Sequence, residues 1–396
     1  MKVSQRAQSV APFYAMEFGK RAAALEADGH ALIKLNIGEP DFGAPPAVIE
    51  AMRVIMDGRP LAYTEALGLP PLRRAIAGFY RQMHGVEVDP QRVVVTAGAS
   101  GALLLAAAAL VDPGDEVIVG DPSYPCNRQF LASFGADVKL LPTDAATRYQ
   151  LSADAVRTHW SARTRGLMIA TPSNPTGTSI LPAELVAICE WARARDAFRI
   201  VDEIYLNLGD HDAQGRAPQT VLAIDDDAFV INSFSKYFGM TGWRLGWCVV
   251  PEAMVPVMER LAQNLFICPS TLAQMAALTC FTDESLAVCE ARRLEFARRR
   301  AQVLDGLARI GLPVPVAPDG AFYVYFDVRA TGLSAWQFCE RALQEAHVAL
   351  TPGRDFGDCG ADAHVRLSYA ASAEQLDDAL ARLGRFMHRL HEARVA

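Results

Sequence analysis

Short apolar runs alternate with amphipathic segments through the middle of the chain. The apolar runs have the length and the β-branched content of buried strands, and they lie at Val93–Val95, Val117–Val119, Leu167–Ala170, Arg199–Val201 and Phe229–Ile231. Helical patterns fill the intervals, as at Gly101–Leu110, Asn127–Phe134 and Pro182–Arg195. Strands that alternate with helices predict βαβ units, and therefore an α/β fold with a mainly parallel sheet flanked by helices.

The pattern changes after about residue 285. A long Arg-rich helix is predicted from Glu284 to about Ile310. After it come strands and helices that no longer alternate regularly, at Ala321–Asp327, Ser334–Ala346, His364–Ser368 and Ala373–His391. Such an arrangement is typical of an α+β unit that is separate from the parallel sheet.

The first 44 residues contain an amphipathic stretch at Ala15–Ala27 and a strand-like stretch at Ala31–Ile37, followed by a Pro-rich loop through Pro46. This segment is better explained as part of the second unit than as a third domain. We therefore predict a large domain over residues 45–285, and a small domain formed by residues 1–44, with an N-terminal arm, together with residues 286–396.

Composition and charge narrow the classes of function. The 396 residues are 51% hydrophobic and 21% charged, which is ordinary for a globular protein. The 38 Lys and Arg residues are outnumbered by 45 Asp and Glu residues, so the formal net charge is −7. An acidic chain has no general basic field for nucleic acid or an anionic membrane, so any small anion must be held by a local site.

The chain also lacks the marks of a membrane or secreted protein. Its longest apolar run, Gly101–Val111, is too short to span a bilayer, and the polar Met1–Val10 is unlike a signal peptide. The eight cysteines form no CxxC pair, and His388 and His391 have no carboxylate or thiol at a matching spacing. We predict a cytoplasmic protein without a metal site or a membrane partner.

Candidate chemistry concentrates where the predicted strands end. Asn174 follows one strand, Asp202 and Tyr205 follow the next, and the segment Ser233-Phe234-Ser235-Lys236 follows another. Ligands of open α/β sheets bind outside the carboxyl ends of the strands, so we expect these side chains to meet. Taken singly, each has an ordinary explanation as a turn residue, a helix cap or a surface charge.

The strand Val93–Val95 runs into a turn of small residues, Thr96–Ser100, that opens a helix. The backbone N–H groups of Gly98, Ala99 and Ser100 could hold a phosphate there. The turn matches neither GxGxxG nor GxxxxGK[ST], and a tight strand-to-helix turn needs small residues in any case. Both interpretations stay open for this turn taken alone.

Together these groups suit pyridoxal 5′-phosphate, which brings an aldehyde, a phosphate and a pyridine nitrogen. Lys236 would form a Schiff base with the aldehyde, and Asp202 would keep the ring nitrogen protonated. The phosphate would bind to Ser233, Ser235, Arg244 and the Gly98–Ser100 turn.

The motif around Lys236 makes a family resemblance explicit. The chain has Ser233-Phe234-Ser235-Lys236 followed by Gly242-Trp243-Arg244-Leu245-Gly246, and Arg244 comes eight residues after Lys236. This pattern resembles the lysine motif of class I and II pyridoxal-phosphate aminotransferases of fold type I, the aspartate aminotransferase superfamily. Further segments resemble that family in the same order: Ile37–Phe42, Tyr63-Thr64 with Gly68–Arg73, Asn174–Gly177, Asp202–Tyr205 and Val365–Ser368. The resemblance covers roughly residues 30 to 390.

The resemblance implies a large domain with a mainly parallel seven-stranded sheet and a smaller α+β domain. It also implies an enzyme that moves an amino group from an L-amino acid to a 2-oxo acid by a ping-pong mechanism through a Lys236 aldimine. In that family the residue corresponding to Lys236 moves the proton, and the residue corresponding to Asp202 binds the ring nitrogen.

Further roles carry over from the family residue by residue. Asn174 and Tyr205 correspond to the groups that bond the ring hydroxyl, and Tyr124 to the aromatic residue that stacks on the ring. Arg366 corresponds to the residue that binds the substrate α-carboxylate, with the Gly38 backbone beside it. Tyr63 resembles the tyrosine that reaches the phosphate of the neighbouring subunit, which implies a homodimer.

The substrate side chain is less well specified. Relatives that take dicarboxylates use additional cationic residues, and neither Gly101–Val111 nor Asn264–Ala277 contains Lys or Arg. We therefore favour a neutral aliphatic or aromatic donor, with pyruvate or 2-oxoglutarate as acceptor. Arg21 or Arg128 could still reach a second carboxylate.

Three other classes of function compete with transamination. A β-lyase, decarboxylase or cyclising synthase would use the same cofactor groups, and a non-catalytic cofactor-sensing module would bind without turnover. A nicotinamide-dependent dehydrogenase is disfavoured because GxGxxG is missing. The arginines between Arg292 and Arg300 alternate with apolar residues as in an amphipathic helix, so we predict no nucleic-acid partner.

Overall fold

The computed structural model describes residues 1–395. The strands are β1 Ile33–Lys34, β2 Val93–Thr96, β3 Glu116–Asp121, β4 Asp137–Pro142, β5 Thr164–Ala170, β6 Phe198–Asp202, β7 Phe229–Ser233, β8 Gly246–Val249, β9 Tyr323–Asp327, β10 Val348–Ala349, β11 Thr351–Pro352 and β12 His364–Ser368. The helices are α1 Gln5–Ser9, α2 Tyr14–Ala27, α3 Pro46–Ile55, α4 Pro70–His84, α5 Gly98–Leu110, α6 Pro125–Ser133, α7 Ala153–His159, α8 Pro182–Arg193, α9 Val255–Leu265, α10 Thr271–Ala277, α11 Asp283–Arg309, α12 Ala335–Arg341 and α13 Ala373–Val395.

A seven-stranded sheet forms the centre of the fold. Its strand order is β2-β8-β7-β6-β5-β3-β4, and every neighbouring pair is parallel except the two that involve β8. The prediction of a mainly parallel sheet flanked by helices is therefore confirmed. All five runs predicted as strands lie in this sheet.

The apolar runs predict strands well because the sheet is covered on both faces. Along β2, Val93 and Val95 belong to one hydrophobic cluster and Val94 to another, so successive side chains enter different cores. The strands β4 and β8 were missed. β4 is an edge strand with mostly half-buried side chains, so its sequence gives no continuous apolar run, and the short β8 begins with a glycine.

Two smaller sheets bring the ends of the chain together. β1 pairs in parallel with β10, and β11, β12 and β9 form an antiparallel sheet. The Leu35 N–H donates to the Ala349 carbonyl, and the Ser368 N–H donates to the Leu35 carbonyl, so the N-terminal segment bridges both sheets. The predicted strand Ala31–Ile37 is paired over Ile33–Lys34 alone, and the proposed domain limits at residues 44/45 and 285/286 stay a prediction.

The helices agree with the sequence pattern except in their limits. The predicted helix Gly101–Leu110 begins three residues earlier, at Gly98, so the Gly98–Ser100 turn is the first turn of α5 itself. The predicted helix over Ser334–Ala346 is α-helical for Ala335–Arg341 and continues as a π-helical turn to Ala346. Nowhere in residues 1–395 is there a helix that is long and apolar enough to cross a membrane.

Candidate active site

A cavity of about 230 Å³ opens at the carboxyl ends of β5, β6 and β7. Its wall combines these strand ends with the N-terminal segment, the start of α5 and the small antiparallel sheet. It contains every site residue predicted from the sequence except Gly98 and Tyr63, namely Gly38, Ala99, Ser100, Tyr124, Asn174, Asp202, Tyr205, Ser233, Ser235, Lys236, Arg244 and Arg366.

Lys236 lies just beyond β7, on the floor of the cavity. Its Nζ donates a hydrogen bond of 2.5 Å to the Gly38 carbonyl and lies 5.8 Å from the centroid of the Tyr205 ring. Loss of hydration lowers the pKa of Lys236 to about 8, against an opposing effect of the Glu39 carboxylate. A substantial neutral fraction near neutral pH makes this amine a competent nucleophile.

Asp202 ends β6 and is 5% exposed. The Ile204 N–H donates to its Oδ1 at 3.1 Å. Burial raises the pKa of Asp202 to about 6, while the Ile204 hydrogen bond and the Lys236 charge act in the opposite direction. The carboxylate is thus charged at neutral pH and suited to a protonated ring nitrogen.

Glu203 is adjacent in sequence but has different partners. Its carboxylate accepts from the Thr220 hydroxyl at 2.7 Å and from the Val221 N–H at 2.6 Å, and Glu203 is not part of the cavity wall. Its role is to anchor the loop that carries Thr220, so the two adjacent carboxylates do not form a catalytic pair.

The start of α5 forms an anion cradle with the Lys236 loop. Ala99 and Ser100 lie in the first turn, which within the described chain has neither an acidic residue nor a capping side chain. Their N–H groups are therefore available to an anion. The Ser233 and Ser235 hydroxyls are 3.0 Å apart on the same wall.

Arg244 completes this cradle. It has a φ of 51°, and its Nη1 donates to the Thr241 carbonyl at 2.9 Å. A Cβ added to Gly98, whose φ is 74°, would lie 2.5 Å from the Arg244 Nη2. A glycine at residue 98 therefore allows the guanidinium to approach the helix N-terminus, although Gly98 itself lies behind the cavity wall.

Arg366 lies at the opposite side of the cavity and is 1% exposed. Its Nη1 donates to the Asn174 Oδ1 at 2.9 Å, and its Nη2 donates to the Asn36 carbonyl at 2.6 Å. Its buried Nε has no hydrogen-bond partner among residues 1–395. An oriented guanidinium with an unused N–H is suited to bind a substrate carboxylate.

Three tyrosines line the cavity between Arg244 at one end and Arg366 at the other. The Tyr205 and Tyr323 hydroxyls are 2.8 Å apart, and burial raises the pKa of both, so both hydroxyls keep their protons. Tyr124 precedes α6 and contacts the Phe13 ring edge-on, with 6.1 Å between centroids. Gly38 has no Cβ, and one placed there would lie 2.2 Å from the Tyr323 hydroxyl.

The arrangement fits pyridoxal phosphate. One cavity holds an anion cradle, an amine, a buried carboxylate and an aromatic side chain, which are the groups that this cofactor requires. Within the described residues, no group of three or more His, Cys, Asp or Glu side chains is placed to hold a metal ion.

Several wall residues were not predicted from the sequence. They come from the N-terminal segment, from α5 and from β9, and include Phe13, Met16, Asn36, Leu103 and Tyr323. Asn36 lies two residues before Gly38, so the motif around Gly38 could have indicated it. Nothing in the local sequence indicates that Phe13 and Met16 line the cavity, because they reach it through the packing of α2.

Tyr63, Arg21 and Arg128 are not part of the cavity wall. Tyr63 is 79% exposed and belongs to the loop before α4. Arg21 pairs with Glu17 and Glu340, and Arg128 donates to the Asp355 carbonyl at 3.4 Å. Neither arginine is part of the cavity wall.

Known proteins are similar to this chain over almost its whole length. Residues 30–383 match the family model described as aminotransferase class I and II. The chain is 41% identical to the valine–pyruvate aminotransferase of Mycobacterium tuberculosis over 388 residues, which cover 98% of each protein. It is 36% identical to the aspartate/prephenate aminotransferase of Thermus thermophilus, with 98% of this chain and 99% of the relative covered.

Solved structures agree in fold as well as in sequence. A crystal structure of an aminotransferase from Mycobacterium tuberculosis superimposes with a TM-score of 0.93 at 40% identity, covering 98% of this chain and all of the other. The aspartate aminotransferase from Thermus thermophilus with maleate has a TM-score of 0.90 at 34% identity, covering 97% of this chain and 99% of the other.

Proposed function

Since the chain belongs to the class I and II aminotransferases, we propose that it takes the amino group from neutral aliphatic or aromatic L-amino acids and transfers it to a 2-oxo acid without a second carboxylate, such as pyruvate. The supporting observation is the charge of the cavity wall. The cationic side chains of this wall are Lys236, Arg244 and Arg366, counted over the described part of the chain. Each already has a role, so none is left for a second carboxylate.

Family membership establishes the broader statements. The protein is a transaminase of fold type I that uses pyridoxal phosphate, with an amino acid and a 2-oxo acid as substrates. The predictions of class, fold, activity and cofactor are confirmed, and the lyase, decarboxylase, synthase and cofactor-sensing alternatives are not favoured.

The remainder of the cavity wall supports a neutral donor. It includes Phe13, Met16, Ile37 and Leu103, which offer apolar surface to a donor side chain. Relatives are named both for valine with pyruvate and for aspartate with prephenate, so similarity alone leaves the donor open. The apolar residues of the wall favour a neutral donor such as valine.

The proposed roles of the residues follow from their positions. Arg366, with the Gly38 backbone beside Lys236, orients the donor α-carboxylate. Lys236 would take the proton from the donor Cα and deliver it to the carbon of the cofactor that carries the amino group. Bound pyridoxal phosphate supplies an electron sink for that proton transfer, and Asp202 keeps its ring nitrogen protonated.

The remaining predicted residues hold the cofactor. Asn174 and Tyr205 bond the ring hydroxyl, and Tyr124 stacks on the ring. Ala99 and Ser100 at the start of α5, with Gly98 behind them, bind the phosphate together with Ser233, Ser235 and Arg244.

We also propose a cytoplasmic homodimer in which Tyr63 reaches the phosphate of the neighbouring site. Exposed apolar side chains occur on α3 and in the loop before α4, close to Tyr63 in sequence, and a second exposed apolar group lies at Leu265–Ile267. The Thr271 hydroxyl donates to the Ala62 carbonyl, and α3 packs on α10, so these segments are adjacent. Such a surface suits a second copy of the chain.

The donor class can be tested with the purified holoenzyme. L-valine, L-leucine and L-phenylalanine should each show a kcat/KM at least about tenfold above that of L-aspartate, because an unpaired carboxylate would be buried against apolar side chains. The half-reaction is followed by the absorbance of the cofactor. A kcat/KM for L-aspartate equal to or above that for L-valine would contradict the proposal.

The role of Lys236 has a separate test. Lys236→Ala should remove the absorbance band of covalently attached cofactor and abolish transamination, whereas the exposed Lys20→Ala should change neither. Normal turnover by Lys236→Ala would exclude Lys236 as the catalytic residue.

A further inference from the structure

The first turn of α2 forms one wall of the active-site cavity. Phe13, Ala15 and Met16 are part of this wall, and the Phe13 ring contacts Tyr124. None of these residues belongs to the sheet that carries Lys236. The position of this wall therefore depends on how the N-terminus of α2 is attached to the remainder of the fold.

The helix receives its cap from a residue far away in sequence. The residue before the first turn is Phe13, and within residues 1–395 it supplies no capping hydrogen bond. Instead the Tyr14 N–H donates to the Asp355 Oδ1 at 2.8 Å, and the Ala15 N–H donates to the Asp355 Oδ2 at 3.1 Å. A carboxylate at a helix N-terminus satisfies free N–H groups and is favoured by the helix dipole.

Because Asp355 is buried, its cap should fix the position of the helix end more firmly than an exposed cap would. Asp355 is 2% exposed and follows β11. Both of its carboxylate oxygens accept from α2, and the Arg128 guanidinium donates to its backbone carbonyl at 3.4 Å. A buried carboxylate that uses both oxygens in this way holds the helix end in one position.

A second buried side chain holds the same turn from the other side. The Asn36 Nδ2 donates to the Ala15 carbonyl at 2.8 Å. The Asn36 carbonyl in turn accepts from the Arg366 Nη2 at 2.6 Å and from the Thr351 hydroxyl at 2.9 Å. Both backbone polar groups of Ala15 are thus held, and the turn is aligned with the guanidinium proposed to bind the substrate carboxylate.

We propose that Asp355 is a positioning residue for donor selectivity, which rests on the proposed transamination of neutral donors. By capping α2 from across the fold, it holds Phe13 and Met16 against the side chain of a donor whose carboxylate is bound by Arg366. Larger aliphatic donors gain affinity from this apolar contact, and L-alanine gains little because it has almost no side chain to bury.

The test is Asp355→Asn in the holoenzyme. The substitution keeps the size of the side chain but removes the charge and turns one acceptor into an N–H donor that faces the helix N–H groups. We expect the KM for L-valine and L-leucine to rise about tenfold, with kcat within about threefold. The kcat/KM for L-alanine should change by less than about threefold.

Hydrogen exchange gives a readout that does not depend on the donor. Amide exchange at Tyr14 and Ala15 should accelerate about tenfold in Asp355→Asn, and exchange in α5 should not change. Asp144→Asn is the matched control, because Asp144 also accepts from a backbone N–H at the start of a helical turn but lies on the surface. It should alter neither the ratio of L-valine to L-alanine kcat/KM nor exchange at Tyr14.

Phe13→Ala tests the link between cap and wall. It should lower the kcat/KM for L-valine relative to L-alanine without faster exchange at Tyr14, and Asp355→Asn should then add little further loss. The proposal is overturned by unchanged exchange at Tyr14 and Ala15, by an unchanged donor ratio, or by equal losses for every donor.

Failure of the proposed donor class would look different. If the unsubstituted enzyme prefers L-aspartate to L-valine, the proposed donor class is wrong. The role of Asp355 is then still decided by the exchange rates and by the ratio of kcat/KM for the preferred donor to kcat/KM for L-alanine. An unchanged ratio or an unchanged exchange rate would reject the positioning role in that case as well.

Discussion

Burial sets the protonation of the two ionisable residues at the centre of the cavity. It lowers the pKa of Lys236 to about 8 and raises that of Asp202 to about 6, so the two values approach each other from opposite directions. In both residues loss of water disfavours the charged form. Between these two values the carboxylate is charged, and a part of the amine is neutral at the upper end of that interval.

The pKa of Lys236 predicts how the apoprotein takes up pyridoxal phosphate. The neutral amine is the reactive form, so the rate of covalent attachment should rise with pH and level off above about 8. An exposed lysine would show that rise near 10.5. The measurement is the rate of the absorbance change over a series of pH values.

Glu39→Gln provides the control for this pH profile. The Glu39 carboxylate raises the pKa of Lys236, so its neutralisation should move the midpoint of the rate profile to lower pH. A midpoint near 10 would contradict burial as the main cause of the lowered pKa, and a shift to higher pH in Glu39→Gln would contradict the effect assigned to the Glu39 carboxylate.

At the scale of elements, the start of α5 shows how a helix end becomes part of a binding site. A Cβ at Gly246 in β8 would lie 2.7 Å from the Ala99 nitrogen, and one at Gly98 would lie 2.5 Å from Arg244. Small residues are needed here because strand, helix end and guanidinium approach closely. The same requirement left the sequence pattern around Gly98 open to a purely steric interpretation.

Gly98→Ala tests the requirement at the helix start. Because the φ of residue 98 is 74° and the added methyl group displaces Arg244, we expect a loss of about 1–2 kcal/mol in the free energy of unfolding. The Kd for pyridoxal phosphate should rise at least about tenfold. Both are measured on the apoprotein, by denaturant unfolding and by cofactor titration.

Gly101→Ala is the matched control in the same helix. Its added Cβ would meet its neighbours at 3.5 Å, an ordinary contact, so stability should stay equal or rise by about 0.5–1 kcal/mol with unchanged cofactor binding. Equal effects of the two substitutions would argue against a special role for residue 98.

At the scale of the whole molecule, the proposed role of Tyr63 predicts a site that is shared between two chains, and its 79% exposure leaves it free to contact a second chain. Tyr63→Phe should raise the Kd for pyridoxal phosphate at least about tenfold if its hydroxyl reaches the phosphate of the neighbouring site, since a hydrogen bond to a charged group contributes about 1.5–3 kcal/mol. Size-exclusion chromatography of the unsubstituted protein should give the size of two chains.

A mixed dimer distinguishes a shared site from a local effect. In a dimer of one Tyr63→Phe chain and one Lys236→Ala chain, one site combines Lys236 of the first chain with Tyr63 of the second. That site should bind the cofactor with unaltered affinity. If Tyr63→Phe weakens binding in the homodimer and no tight site appears in co-expressed mixed dimers, Tyr63 acts within its own chain. An unaltered Kd in the Tyr63→Phe homodimer would show that Tyr63 has no part in cofactor binding.

The sequence by itself determined the mainly parallel sheet and most of the polar and charged residues around the cavity. The sheet is covered on both faces, so its strands appear as apolar runs, and the polar residues that end these runs lie at one edge because parallel strands end together. The motif from Ser233 to Arg244 is local, and together with the other strand-end groups and segments in the same order it indicated both the cofactor and the family.

The tertiary structure decided what depends on contacts between distant parts of the chain. The cap of α2 by Asp355 joins residues 341 positions apart, and the bond from Arg366 to Asn36 spans 330 positions. The pKa values of Lys236 and Asp202 depend in the same way on which residues surround them. No periodic pattern records such contacts, because they arise when the two ends of the chain fold back onto the same cavity.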